Sequence, residues 1–247
     1  MVYRTRGGKR RRREAVTGEK EIMKHYSIAI DGPSGAGKST LARALAEKLG
    51  FVYADTGAVY RTVGLFMLRE GVDPKDADAV AAKLPGLQVE LVHADDGAQH
   101  MYLNGEDVTG EIRTPEVSMA ASAVAAHPSV RAFLLDTQRD IAKKHNVIMD
   151  GRDIGTVVLP DADLKIFMSA DLQQRAWRRT IELTERGTPK PYEEVLADMT
   201  RRDRDDETRS AAPLRRADDA VALDNSHLTF QETVEVAEQL IRERLGL

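Results

Sequence analysis

The residues of this chain best suited to chemistry lie in Gly32-Pro33-Ser34-Gly35-Ala36-Gly37-Lys38-Ser39, a complete G-x-x-x-x-G-K-[ST] pattern followed by Thr40. Such a loop holds phosphate because its glycines let successive backbone N–H groups close on the oxygens, while the positive end of the following helix points the same way. Gly32, Pro33, Ser34, Gly35, Ala36, Gly37, Lys38, Ser39 and Thr40 are therefore assigned to a donor nucleotide. Lys38 is placed to reach its β- and γ-phosphates and the Ser39 hydroxyl to hold Mg²⁺. Kinases, switches and motors all use this loop, so it names no reaction by itself. The guanine-reading N-K-x-D pattern is absent, since Asn104, Asn146 and Asn225 are followed by Gly, Val and Ser. A D-x-x-G match at 107–110 does not follow a core strand, and a GTPase switch is set aside.

Phosphoryl transfer also needs cations to neutralise the charge spread over the transferring oxygens, and arginines recur downstream in suitable places. Arg61 lies in the helical stretch after the second apolar run, and Arg152 follows Asp150-Gly151, just past the carboxyl end of a strand, where open α/β sheets bind ligands. Arg175, Arg178 and Arg179 share one helical face by spacing, as do Arg202, Asp206 and Arg209. Singly, each reads as a solvated surface residue; as a set they read as the seat of a second anionic substrate. No histidine or carboxylate stands out as a general base, and the six histidines lack metal-ligand spacing. A neutral hydroxyl acceptor would call for a base, whereas a phosphate monoester, with a second pKa of about 6, attacks already ionised. The pattern leans toward a phosphate acceptor.

These groups need a scaffold, and the hydrophobic pattern supplies one. From Ser27 onward short apolar runs alternate with amphipathic stretches, as in a parallel sheet covered by helices. Ser27–Asp31 reads as the strand that delivers the loop and Lys38–Leu49 as the helix that leaves it, with Leu41, Leu45 and Leu49 at steps of four and Gly50 as its stop. A second strand is expected at 51–55 and a helix at about 57–70, with Val59, Val63, Phe66 and Met67 on one face. Further strands are expected at 147–150, 164–168 and Val221–Asp224, and helices at about 171–186 and 192–209. The last helix opens on a Thr229-x-x-Glu232 capping box and carries Phe230, Val234, Ala237, Ile241 and Leu245 on one stripe. One stretch breaks the alternation: Val89–His93, an Asp96-Gly97 turn, 98–103, an Asn104-Gly105 turn and 106–108 read as an antiparallel meander. Two helices follow it, one opening at Thr114-Pro115 and one after His127-Pro128.

Composition bounds the rest. A chain of 247 residues is long enough for one substantial α/β domain or two small ones without staples. It has no cysteine, which excludes disulfides, thiol nucleophiles, thiolate zinc sites and iron–sulfur clusters together and suits a reducing compartment. No run approaches the ~18 apolar residues of a membrane span, and the N-terminus lacks the apolar stretch of a signal peptide; the expected location is the cytoplasm, with no membrane partner. Charge is uneven. Residues 1–22 hold eight basic residues (Arg4, Arg6, Lys9, Arg10 to Arg13, Lys20) against three acidic ones (Glu14, Glu19, Glu21), so the tail carries +5 and, with a net charge of −4, the remainder −9. Such a tail could grip nucleic acid or an anionic surface. Its near lack of apolar residues reads more simply as disorder, with Met23 as an alternative start.

The segments IAIDGPSGAGKST, YADTGAVYRTVGL, GEDVTGEIRTPEVSMAASAVAAHPSVR, IMDGRDIGTVVLPDADLKIF and RRDRDDETRSAAPL stand in this order. Together they resemble the bacterial cytidylate kinases over residues 27–247, about nine tenths of the chain. DTGAVYR, DGRDIGTVV and SAAPL are more specific than the phosphate loop. The resemblance implies a nucleoside monophosphate kinase domain over 23–247: α/β, a three-layer α/β/α P-loop architecture with a central parallel sheet. It further implies a small antiparallel β insertion in a monophosphate-binding region at about 57–126, and a helical lid at about 171–192. The implied reaction is transfer from ATP, with Mg²⁺, to CMP or dCMP by a monomer. Carried onto matching positions, it assigns Thr56, Arg61 and Arg152 to the acceptor phosphate and Ser122, Arg131 and Asp153 to cytosine. Arg202 and Asp206 would meet the sugar, Arg209 the acceptor or the transferring group, and Lys38, Arg152, Arg175, Arg178, Arg179 and Arg209 would align and close over the phosphoryl.

Chemistry supports the cytosine set, since an exocyclic amino donor beside ring acceptors matches an Asp or Ser acceptor paired with an Arg donor, and uracil reverses part of that pattern. Each residue also has a plainer role: close packing for Ser122 in its Ala-rich helix, an ion pair with Arg152 or another lid arginine for Asp153, a solvated helix face for Asp206. Two departures from the family pattern stand out. Ser39 stands where many relatives carry glycine, adding a Mg²⁺ ligand, and Asp205 and Glu207 stand where some carry arginine. Two other readings stay open: a kinase of the same fold with another small acceptor, and a nucleic-acid-stimulated ATPase using the basic tail.

Overall fold

The computed structural model describes residues 25–93 and 99–247; the basic tail and the Asp96-Gly97 turn lie outside the described residues. β1 (Ser27–Asp31), α1 (Lys38–Leu49), β2 (Val52–Asp55) and α2 (Thr56–Arg69) follow one another as two βα units. α3 (Ala77–Lys83), β3 (Val89–His93), β4 (Gln99–Leu103), β5 (Glu106–Asp107) and α4 (Pro115–Val124) come next, and α5 (Pro128–Lys144) leads to β6 (Val147–Gly151). A π-helical turn at Ile154–Val158 separates β6 from β7 (Leu164–Ser169); α6 (Leu172–Glu185), α7 (Tyr192–Thr208), β8 (Val221–Asp224) and α8 (Phe230–Leu245) complete the chain.

The five strands β2-β6-β1-β7-β8 form one sheet, parallel throughout. Successive residues of a strand face opposite sides. Ile28 and Ile30 accordingly pack with Leu41, Leu45, Val234 and Ile241 of α1 and α8, whereas Ala29 joins Met149, Ile154, Val158 and the apolar face of α5. This is the expected three-layer arrangement. β1 lies between β6 and β7, so the chain changes direction across the sheet at β1, and a crevice opens beyond the carboxyl ends of β1 and β6.

The meander forms as read. β3-β4-β5 are antiparallel, with Leu103 opposite Glu106 across a two-residue turn in which Asn104 and Gly105 have φ of 50° and 84°, the left-handed pair such a hairpin demands. With α2 and α4 it encloses a second core around Val63, Met67, Met101, Leu103 and Ile112. α6 and α7 pack on each other through Ala176, Leu183, Val195 and Met199.

Three features differ from the sequence reading. The pattern gives no sign of α3, a short Ala-rich helix that buries only Val80, nor of the π-helical turn, whose widened repeat leaves no 3.6-residue period. Phe230 is 52% exposed: as the first residue of α8 it projects beyond the core, and Leu228, just before the cap, packs there instead. The capping box itself is present, the Thr229 hydroxyl accepting from Glu232 N and the Glu232 carboxylate from Thr229 N at 2.8 Å. Thr229→Ala is expected to lower the unfolding free energy by about 1 kcal/mol, read from the urea midpoint at unchanged slope.

Candidate active site

The Gly32–Ser39 loop bends between β1 and α1 because its backbone touches the sheet. A Cβ on Gly32 would lie 2.0 Å from the Met168 carbonyl oxygen of β7, so no larger residue fits. Gly37 is the N-cap of α1 and supplies no side-chain cap, leaving the first helical amides open to an anion. Lys38 is buried, and its Nζ donates to Pro33 O at 2.8 Å. Burial first, then the nearby Arg152 guanidinium, pulls its proton affinity below that of an ordinary lysine. Ser39 Oγ donates to Asp150 Oδ2 at 2.8 Å, and Tyr53 OH to Asp150 Oδ1 at 3.0 Å. Burial, with Asp55 nearby, holds the Asp150 carboxyl above the usual range.

Two side chains pin the loop from outside. Asn225 Nδ2 donates to Ala36 O at 3.1 Å. Arg175 donates through Nη1 to Ser34 O at 2.8 Å and through Nε to Ala170 O at 2.9 Å, and it pairs with Asp203 at 2.7 Å. Arg175, expected to close over a phosphoryl group, is thus turned inward and fully engaged in holding the loop. Its neighbours on α6 are freer: Arg178 reaches Asn225 O at 3.3 Å, and Arg179 pairs with Glu182 at 2.7 Å. Thr40 is exposed on the first turn of α1.

Across the crevice the arginines converge. Asp206 is buried, which removes the solvated-face reading, and accepts from Arg152 Nε at 2.7 Å. Despite burial, Arg152 and Arg202 hold its carboxyl below the usual range. Arg209 lies 3.5 Å from both Asp206 and Asp153. Asp153 pairs with Arg131, whose guanidinium lies 5.5 Å from the centre of the Tyr60 ring. Thr56 Oγ1 donates to Asp150 O at 2.7 Å, and Arg61 pairs with Asp55 at 2.8 Å. Arg202 Nε is buried without a hydrogen-bond partner, as are Arg61 Nε and Arg209 Nη2, and burial followed by the charges of Arg152, Arg61 and Arg179 lowers the Arg202 pKa to about 10, Asp206 opposing.

The structure therefore gathers Lys38, Ser39, Thr56, Arg61, Arg131, Arg152, Asp153, Arg179, Arg202, Asp206 and Arg209 around one crevice. Ser122 is apart: half-buried on α4, its hydroxyl makes no hydrogen bond within the described residues and none ties it to Asp153 or Arg131. Among the described residues no cluster of three or more His, Asp or Glu could hold a metal ion alone, and no helix is long and apolar enough to cross a membrane. Sequence reasoning passed over Asp31, Tyr53, Tyr60 and Asp150. The signal for Asp31 and Asp150 was available, since each ends an apolar strand at the crevice and Ile30 pairs with Asp150 in register.

A sequence model described as cytidylate kinase matches residues 28–243. A cytidylate kinase of an Exiguobacterium species is 47% identical over 90% of this chain and 99% of its own length. One from Geobacter sulfurreducens is 46% identical over 88% of this chain and 93% of its own. Among solved structures, a shikimate kinase from Bacteroides thetaiotaomicron aligns over 90% of this chain and 99% of its own at 14% identity with a TM-score of 0.44. With a match across nearly all of the described domain and relatives this close covering almost their whole length, the chain belongs to the cytidylate kinase family.

Proposed function

We propose that this chain transfers the γ-phosphoryl group of ATP to CMP, giving ADP and CDP, and that dCMP follows the same route. The observation that carries this reading is the arginine cluster: Arg131, Arg152 and Arg209 gather on only two buried carboxylates, Asp153 and Asp206, with Arg202 beside them, so positive charge exceeds negative where a polyanion would sit. The Gly32–Ser39 loop and Lys38 hold the donor. Thr56, Arg61 and Arg152 hold the acceptor phosphate, and Arg152 sits close enough to influence Lys38, so the two phosphates meet between them. An ionised acceptor oxygen attacks the γ-phosphorus as the bond to the β-bridging oxygen breaks, without a general base.

Alignment and charge neutralisation supply the rate. We assign Arg209, Arg178 and Arg179 to the phosphoryl groups, Arg175 to fixing the loop, and Asp206 with Arg202 to the sugar. The α6–α7 hairpin, which includes the lid segment 171–192, closes from one side, and the 57–126 insertion carries the acceptor. The Ser39–Asp150 pair offers two oxygens beside the donor phosphates, which fits Mg²⁺ held mainly by nucleotide rather than by a protein cage. Bound there, Mg²⁺ would neutralise charge on the β- and γ-phosphates.

Purified chain with Mg-ATP and a panel of CMP, dCMP, UMP, AMP and other small phosphate or hydroxyl acceptors should yield ADP fastest with CMP and dCMP. Absence of CDP overturns the proposal. Cytosine reading falls to Asp153 and Arg131, with Ser122 brought in only as the acceptor seats. Asp153→Ala is expected to cut kcat/KM for CMP about a hundredfold and to bring the CMP-to-UMP preference toward unity, because the exocyclic amine loses its acceptor. Equal losses on both nucleotides would remove Asp153 from base recognition.

A further inference from the structure

β1 ends at Asp31, the residue immediately before the phosphate loop. Its buried side chain turns to the segment that follows the neighbouring strand β6, where Oδ1 accepts from Ile154 N at 2.8 Å and Oδ2 from Gly155 N at 2.7 Å. Those amides open the π-helical turn, and the first amides of a helical segment have no acceptor within it. Asp31, 5% exposed, supplies both bonds at once, and charge-assisted bonds of this kind fix geometry as well as add energy. The turn is packed closely at this point: a Cβ on Gly155 would come within 3.0 Å of Lys165 Cδ and 3.4 Å of Asp31 Oδ2. Directly upstream stand Arg152 and Asp153, which reach Asp206 and the Arg131–Arg209 pair.

One carboxylate therefore belongs to the donor loop by chain succession and to the acceptor loop by two hydrogen bonds. We propose that Asp31 is a positioning residue that sets Arg152 and Asp153 against the phosphate loop, so that acceptor seating and base selectivity depend on it although it touches neither nucleotide. This rests on the acceptor reading given above for Arg152 and Asp153. A residue that merely filled the core would change stability and nothing else.

In the full chain, Asp31→Asn keeps the volume but turns an amide N–H₂ toward one of the two backbone donors. The expected result is a KM for CMP raised about tenfold or more, a CMP-to-UMP preference reduced by a similar factor, and a KM for ATP within about twofold of wild type. Parallel changes in both KM values, or an unchanged preference, would overturn the proposal. Should the variant not fold, wild-type hydrogen exchange decides: the Ile154 and Gly155 amides must be protected without nucleotide, and fast exchange at both overturns it equally. Wild-type turnover of CMP in the same assay tests the acceptor reading separately, and the KM split is scored on whichever acceptor the wild-type chain uses.

Discussion

Lys38→Ala is expected to lower kcat about a thousandfold, close to 4 kcal/mol of transition-state stabilisation, while the chain stays folded. The ammonium is buried at the head of α1, with Asp31, Asp150 and Asp206 close enough to favour its charge. Arg175 cannot stand in for it, because its guanidinium is taken by Ser34 O, Ala170 O and Asp203. Folding should tolerate the loss. Asp150 keeps its bonds from Ser39 and Tyr53 and Asp31 keeps two amides, so both buried carboxyls remain hydrogen-bonded. Lys38→Arg should not restore the rate, since a planar fork cannot replace a compact charge in a cleft this tight. Saturating-ATP turnover, with a urea titration to show retained stability, is the measurement; turnover near wild type would remove Lys38 from the donor site.

What the sequence made readable follows from how local each signal is. The loop, its strand and its helix are contiguous, so pattern and structure coincide. Arg202, Asp206 and Arg209 are readable as one face because four- and seven-residue steps on one helix fix their neighbourhood before any packing is known. The same reasoning cannot tell Arg175 from Arg178 and Arg179: spacing makes them equivalent, and only the seating of α6 against Ser34 turns Arg175 inward. Arg131 and Asp153 belong to α5 and to the turn after β6, and no periodicity joins them; their pairing came from family resemblance alone. Asp31 and Asp150 become partners of the site through the register of two parallel strands distant in sequence. The π-helical turn is tied to Asp31 by two hydrogen bonds, a tertiary contact that no local propensity encodes.

Arg152 is where the donor and acceptor halves become one machine, and its removal should rank with that of Lys38. It is buried, and although burial works against its charge, Asp206 keeps it firmly protonated through the 2.7 Å bond to Nε. In Arg152→Ala, Asp206 would still face Arg202 and Arg209, so the pocket should stay compensated and the chain folded. The expected loss is again about a thousandfold in kcat/KM for CMP, at little change in the KM for ATP, because the missing cation served the acceptor and the transferring group. The double variant separates this reading from a simpler one. If Lys38 and Arg152 neutralise the same group of oxygens, removing the second cation costs far less than removing the first, and the combined loss stays well short of the product of the single losses. Losses that multiply fully would mean that the two cations act on separate groups, with Lys38 confined to donor binding and Arg152 to acceptor binding. The lowered proton affinity of Lys38, which Arg152 helps to cause, argues for the shared target: two cations held this near each other gain most when one phosphoryl group lies between them.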